Sequence, residues 1–313
     1  MLNFIKKANV HQLIVWGIII LGTIVSVLPP DLLFFRVVSK FVVQIMFTYL
    51  FLGLLFLFFS DQSSMYVSFI CCGILCLFLR TRSPFFAPTQ QGSNFSIATF
   101  NLSLSDDNFD STISTIINSG ADIISIQEVT PDWYAYLDKN PSIKSLYPYD
   151  TSLVRMDFYG LAILSKYPFV KIDTFNYKHI PNFMGCIKHD SLNQEIYFIT
   201  SHTTPPVSSR AYEKIDSHLS KIASKVLEIK KPIIAMGDYQ VVPWSSEITR
   251  FKTLAKLTDS RRDMPTTYFP HDHIFYSKEL ECTDFRSIGT NKTVHLGILG
   301  TFQIKGQPMF DTE

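Results

Sequence analysis

The stretch "AMGDYQVVPW" (residues 235–244) decides the fold of this 313-residue chain. With "PII" ahead of it, it reads as a short buried strand that breaks at a Gly-Asp turn and runs on into a Pro-Trp helix start. Such a strand delivers Asp238 to the end of a sheet, a place suited to metal or phosphate chemistry.

The same texture recurs on both sides. "FSIATFNL" (95–102), "DIISIQEV" (122–129), "YGLAILSKYPF" (159–169), "EIYFITSHTTPP" (195–206), "HDHIFYS" (271–277) and "VHLGILGTFQI" (294–304) read as strands. "DDNFDSTISTIINSG" (106–120) predicts a helix with Ile113, Ile116 and Ile117 on one face. Residues 208–230 predict a longer one with Ile215, Leu219, Ile222 and Val226 at helical spacing. Strands and helices mix without strict alternation, so the expected class is α/β (α+β): two packed mixed sheets flanked by helices.

Upstream the composition changes. Of the chain's 28 Lys/Arg and 27 Asp/Glu, residues 1–88 hold six and two, which leaves 22 and 25 for the remainder. Three apolar runs, 12–28, 41–59 and 65–79, predict three transmembrane helices, the third ending in Arg80 and Arg82, whose long side chains reach the headgroups. The expected division is a membrane region at 1–80, a linker at 81–93, a catalytic-type domain at 94–304 and a tail at 305–313. Loop charges set Lys6 and Lys7 against Arg36, Lys40, Arg80 and Arg82, which favours a cytoplasmic domain by count. A net acidic domain argues against a surface that coats nucleic acid, because that affinity comes from cations neutralising phosphates. Cys186 and Cys282 are the only cysteines in this part, and spacing alone does not say whether they meet.

Polar residues stand at the ends of the apolar strands: Asn101, Glu128, His202, Asp238, Asp272 and His295. Hydrolysing a phosphate ester needs a cation to neutralise charge, a group to position water, and a donor to the phosphoryl oxygens. Glu128 with Asn101 offers a hard-oxygen site for Mg²⁺ or Mn²⁺, and His295 with Asp272 offers an oriented base.

In order, "TFNL", "SIQEV", "GLAILSKYPF", "SHTTPP", "GDYQVVPWS" and "DHIFYS" resemble the endonuclease/exonuclease/phosphatase superfamily across residues 94–304. The resemblance implies a four-layer sandwich and a metal-dependent phosphoric ester or pyrophosphate hydrolase. It implies that Asn101 and Glu128 bind Mg²⁺, that His202 contacts or protonates the phosphate side, that Asp238 and Gln240 orient water, and that Asp272 holds His295. The N-terminal spans resemble a bacterial membrane-anchored subgroup, similar to glycopeptide-resistance phosphatases. That implies an inner-membrane, extracytoplasmic domain with the bilayer and a phosphorylated lipid as partners. Two positions depart from the pattern. Gln240 stands where the family has Asn, and Val294 where it has Asp before the histidine. These departures keep a weakened phosphate-binding or scaffold protein as one competing reading, with a nuclease as the other.

Overall fold

The computed structural model describes residues 9–28, 32–82, 94–102, 108–189, 194–262, 270–289 and 297–305. They divide into two compact units, an N-terminal apolar one and a larger one that begins at Asn94.

The first unit is helical: α1 (Val10–Val27), α2 (Leu33–Lys40), α3 (Val42–Phe58) and α4 (Gln62–Arg82). Asn9 and Gln12 form a reciprocal capping box that starts α1. Two of these helices, α1 and α4, are long and apolar enough to cross a membrane. The run at 41–59, expected as a span, forms α3, which with α2 makes a pair bent by 66°, so the described residues hold two helices long enough to span, or three spans if the bent pair is one. Within the unit Trp16 Nε1 donates to Ser64 Oγ at 3.0 Å and the Tyr49 hydroxyl to the Ile19 carbonyl at 2.9 Å. Apolar helices gain little by burying apolar surface from lipid, so such bonds and close packing fix their pairing.

The second unit is the expected pair of packed mixed sheets flanked by helices. Sheet A contains β1 (Asn94–Asn101), β2 (Ile123–Gln127), β3 (Tyr149–Leu153), β4 (Leu161–Ser165), β11 (Leu280–Ile288) and β12 (Gly297–Ile304), in the order β11-β12-β1-β2-β4-β3. Sheet B contains β5 (Phe169–Tyr177), β6 (Ile180–His189), β7 (Gln194–His202), β8 (Ile233–Asp238), β9 (Thr258–Asp259) and β10 (Asp272–Tyr276), in the order β5-β6-β7-β8-β10-β9. One pair in each sheet is parallel, β1 with β2 and β7 with β8, and every other pairing is antiparallel. Each parallel pair needs a crossover, supplied by α5 (Phe109–Asn118) and α8 (Ser209–Glu228). Three shorter helices, α6 (Pro131–Lys139), α7 (Pro141–Leu146) and α9 (Ser246–Ala255), complete the outer layers. The sequence did not signal α6 and α7, nor the strands β3, β5, β6, β9 and β11 as separate elements. They are short or weakly alternating, and pairing with a neighbour makes them.

The core lies between the sheets, where Ile97, Ile123, Ile163, Phe198, Ile234, Met236, Ile274 and Ile298 meet. A second cluster packs α5 and α6 on the outside of sheet A through Ile113, Ile116, Ile124, Ile126 and Trp133. Side chains alternate faces along a strand, so the inward row of each central strand can be followed two residues at a time. On β1 it runs Ile97, Thr99, Asn101; on β2, Ile123, Ser125, Gln127; on β7, Phe198, Thr200, His202; on β8, Ile234, Met236, Asp238. All four rows are apolar in the middle of the sandwich and polar at one end.

Candidate active site

That polar end is the carboxyl end of the two parallel pairs, the rim at which open α/β sheets receive ligands. Register brings Asn101 level with Gln127 in sheet A, and His202 level with Asp238 in sheet B. On the next antiparallel strand, Asp272 pairs with Asp238.

Asn101 bridges the two sheets. Its amide nitrogen donates to Glu128 Oε1 at 3.0 Å and to Asp238 Oδ2 at 2.8 Å. Asp238 also accepts the Gln240 backbone N–H at 2.8 Å on Oδ1 and the Gln240 side-chain amide at 2.9 Å on Oδ2. The same Gln240 amide lies 3.1 Å from His202 Nε2. His202 Nδ1 lies 2.6 Å from the Phe158 carbonyl, which can only accept, so Nδ1 carries a proton and Nε2 is left as the acceptor for Gln240. His202 Nε2 stands 3.9 Å from both Glu128 Oε1 and Asp238 Oδ2. One network therefore joins Asn101, Glu128, His202, Asp238 and Gln240.

Local backbone geometry aims these groups. Glu128 and Gln240 are both left-handed, at φ 63° and φ 59°, which costs a non-glycine residue roughly 1–3 kcal/mol and persists where surrounding contacts over-determine it. Gly237, at φ 137°, has no room for a side chain, since a Cβ there would sit 1.9 Å from the Ser201 carbonyl oxygen. Beneath the rim, Thr99 donates to Gln127 at 3.0 Å, Gln127 to Ser125 at 2.6 Å, and the Ser125 and Thr200 hydroxyls bond across the two sheets. These four buried polar residues hold the rim from below. They were not picked out in the sequence, because a hydroxyl or amide inside a strand gains its meaning only from the residue that faces it across the sheets.

Asp272 is buried behind Asp238. Burial first, then the neighbouring charges of Asp238 and Glu128, holds its carboxyl well above the usual carboxylate range against the opposing pull of Arg261. The Arg261 guanidinium donates to the Asp272 carbonyl at 2.9 Å. His295 and Val294 lie outside the described residues.

Among the described residues, no group of three or more His, Cys, Asp or Glu side chains is arranged to hold a metal ion. The donors that do converge, the carboxylates of Glu128 and Asp238 and the Asn101 amide, are all hard oxygen ligands. They suit a largely hydrated divalent cation rather than an all-protein cage. Glu128 and Asp238 also set two carboxylates close together at the rim, charge that a cation would offset, and both push the neighbouring Asp272 carboxyl upward after its burial.

The profile of the Endonuclease/Exonuclease/phosphatase family matches residues 98–290. The chain belongs to this family. Its members are generally phosphate-ester hydrolases that use divalent metals. Among solved structures, the fold resembles D. rerio TDP2 complexed with a single-strand DNA product, with 17% identity, a TM-score of 0.55, and 67% of this chain covering 99% of that one. It also resembles the endonuclease/exonuclease/phosphatase from Bacteroides vulgatus, with 15% identity and a TM-score of 0.54 over 68% of this chain and 100% of that one. The human Nocturnin catalytic domain with bound sulfate matches at 14% identity and a TM-score of 0.54, over 72% and 99%. At these identities the likeness is one of fold. No curated protein matches the chain by sequence.

Proposed function

We propose that the chain is a membrane-tethered, Mg²⁺-dependent phosphohydrolase acting on a lipid-linked or membrane-proximal phosphate ester or pyrophosphate. The observation that carries this reading is the single hydrogen-bonded network at the rim, in which an amide from one sheet ties a carboxylate of each sheet beside a histidine of the other. Glu128 and Asn101 would hold the cation, which when bound neutralises charge developing on the phosphoryl oxygens.

Asp238 orients the attacking water. Its carboxylate is turned by three hydrogen bonds, so the lone pair that accepts a hydrogen bond from the water has a defined direction. His202 faces the phosphoryl group through Nε2, because Nδ1 is committed to the Phe158 carbonyl. When protonated, Nε2 gives up the bond it accepts from Gln240 and donates instead to a phosphoryl or leaving oxygen. Asp272 with His295 is assigned as the base pair by family resemblance. Gln240 supports activity rather than weakening it, since its longer side chain spans from Asp238 to His202. A lipid-linked substrate is supported by the apolar helices, which confine the site to a lipid surface. By resemblance to the anchored bacterial subgroup, residues 1–80 form the anchor and the domain at 94–304 faces outward across the inner membrane, which a C-terminal reporter fusion tests.

The deciding assay gives the purified full chain Mg²⁺ with polyprenyl pyrophosphate, a phosphoinositide, sphingomyelin or DNA, alongside Glu128→Ala and His295→Ala. Hydrolysis of the lipid substrates that both substitutions abolish is expected. Turnover that survives both removes the mechanism, and turnover of DNA alone makes the chain a nuclease.

A further inference from the structure

Two loops form the wall of the site on the His202 side. The loop from Val154 to Gly160 is tied to sheet A beside Glu128, where Arg155 N–H donates to the Val129 carbonyl and Val129 N–H to the Gly160 carbonyl, each at 3.2 Å. The loop after β7 meets it through the Tyr159 and Thr204 hydroxyls at 3.2 Å, and the Phe158 carbonyl holds His202. Both loops point apolar side chains at solvent. Met156 is 81% exposed, Phe158 47% and Val207 82%.

Scattered apolar residues on a surface need no explanation, but these three stand on two loops that are hydrogen-bonded to each other and to a site residue. Two exposed basic residues lie on segments that adjoin these loops. Lys178 is exposed in the turn between β5 and β6, next to His179, whose ring packs edge-on against Tyr159 at 5.6 Å. Arg210 is exposed three residues after Val207 and has no ion-pair partner among the described residues. The acid of this wall, Asp157, is engaged by Arg155 at 2.7 Å.

We infer that this wall is a lipid-contacting lip: Met156, Phe158 and Val207 enter the apolar boundary of an anionic bilayer while Lys178 and Arg210 meet its headgroups. Exposed apolar side chains flanked by cations are the composition that seats a protein surface in the headgroup layer. The inference rests on the phosphohydrolase reading and adds that the substrate is drawn from the bilayer past this lip, its apolar part lying against the three side chains.

The test uses the full chain in nanodiscs of phosphatidylcholine with phosphatidylglycerol, one copy per disc. Met156→Trp and Val207→Trp each add an indole whose emission brominated phospholipids should quench, above the background of the native tryptophans. In parallel, the double variant Met156→Ser with Val207→Ser should lose about tenfold in kcat/KM on a disc-embedded prenyl diphosphate, the effect of about 1.4 kcal/mol of lost contact. It should keep wild-type turnover of a water-soluble short-chain prenyl diphosphate. An introduced indole that is not quenched, or that shifts to the blue without quenching because protein covers it, overturns the inference, as does equal loss on both substrates. Quenching without hydrolysis of either substrate upholds the lip and removes the phosphohydrolase reading, while hydrolysis without quenching does the reverse.

Discussion

In sheet A the parallel pair β1–β2 ends in Asn101 and Glu128, and in sheet B the parallel pair β7–β8 ends in His202 and Asp238. Both pairs are joined by a crossover helix, and both have a non-glycine residue in the left-handed region just past the second strand. The difference lies in what that residue does. In sheet A it is the acid itself, Glu128, thrown into the rim by its own backbone. In sheet B it is Gln240, two residues beyond the acid, folding back so that its N–H and its amide both bond Asp238. The same strand-end device thus yields a carboxylate turned into the rim on one side and a carboxylate held in one orientation on the other.

Substitution at the two acids should separate these roles. Asp238→Asn is expected to lower kcat by about 10³-fold while leaving the Mg²⁺ concentration for half-maximal activity unchanged. Glu128→Gln should instead raise that Mg²⁺ requirement, by about tenfold or more, read from metal titrations of the rate. Equal shifts in both parameters for both variants would erase the division of labour between the sheets. Gly237→Ala attacks the backbone of sheet B. With a Cβ 1.9 Å from the Ser201 carbonyl oxygen, the β7–β8 pairing must open, at an expected cost of about 4 kcal/mol or more in detergent-solubilised thermal or urea unfolding. Gln240→Asn is a milder change. Asn accepts the left-handed backbone more readily, yet its amide is one methylene short of His202, so a fall of about tenfold in kcat with no loss of stability is expected. A rise in turnover would show that the reach to His202 hinders the reaction.

The smallest effect concerns a histidine behind sheet B. His218 is buried, stacks on Tyr177 and lies 2.8 Å from Asn182 Oδ1, and burial, followed by the charge of His202, pushes its pKa down to about 3 from 6.5. It is neutral in the fold, while the unfolded chain binds a proton below 6.5. Its contribution to stability is therefore complete above pH 6.5 and lost as pH falls toward 3, at about 1.4 kcal/mol per pH unit. His273, held well below its ordinary value chiefly by burial, adds a second proton of the same sign. His218→Gln should flatten the slope of the thermal midpoint between pH 6.5 and 5, and an unchanged slope would show that another group controls it.

The comparison also shows how far the sequence could be read. Asn101, Glu128, His202 and Asp238 were each visible as a polar residue closing an apolar run and Asp272 as one opening a run, because strand-end residues meet at a rim whatever the details of pairing. Thr99, Ser125, Gln127 and Thr200 were not, although they share those strands. A hydroxyl inside a strand reads as a neutral residue until the facing sheet shows that Ser125 meets Thr200 across the core. Gln240 stood out as a departure by its type alone, and its left-handed backbone shows how the longer amide reaches both Asp238 and His202.

The amino-acid sequence by itself determined the two regimes of the chain, the apolar helices and the sandwich of alternating strands, since local hydrophobic period and charge density depend on neighbours a few residues away. It also determined which residue types would stand at the strand ends. The tertiary structure decided what residues far apart do together: the bend between α2 and α3, the bridge from Asn101 to an acid 137 positions away, and the raised carboxyl of Asp272. The physical reason is that hydrogen-bond direction and desolvation depend on distances across the core, and those are set only when two sheets close on each other.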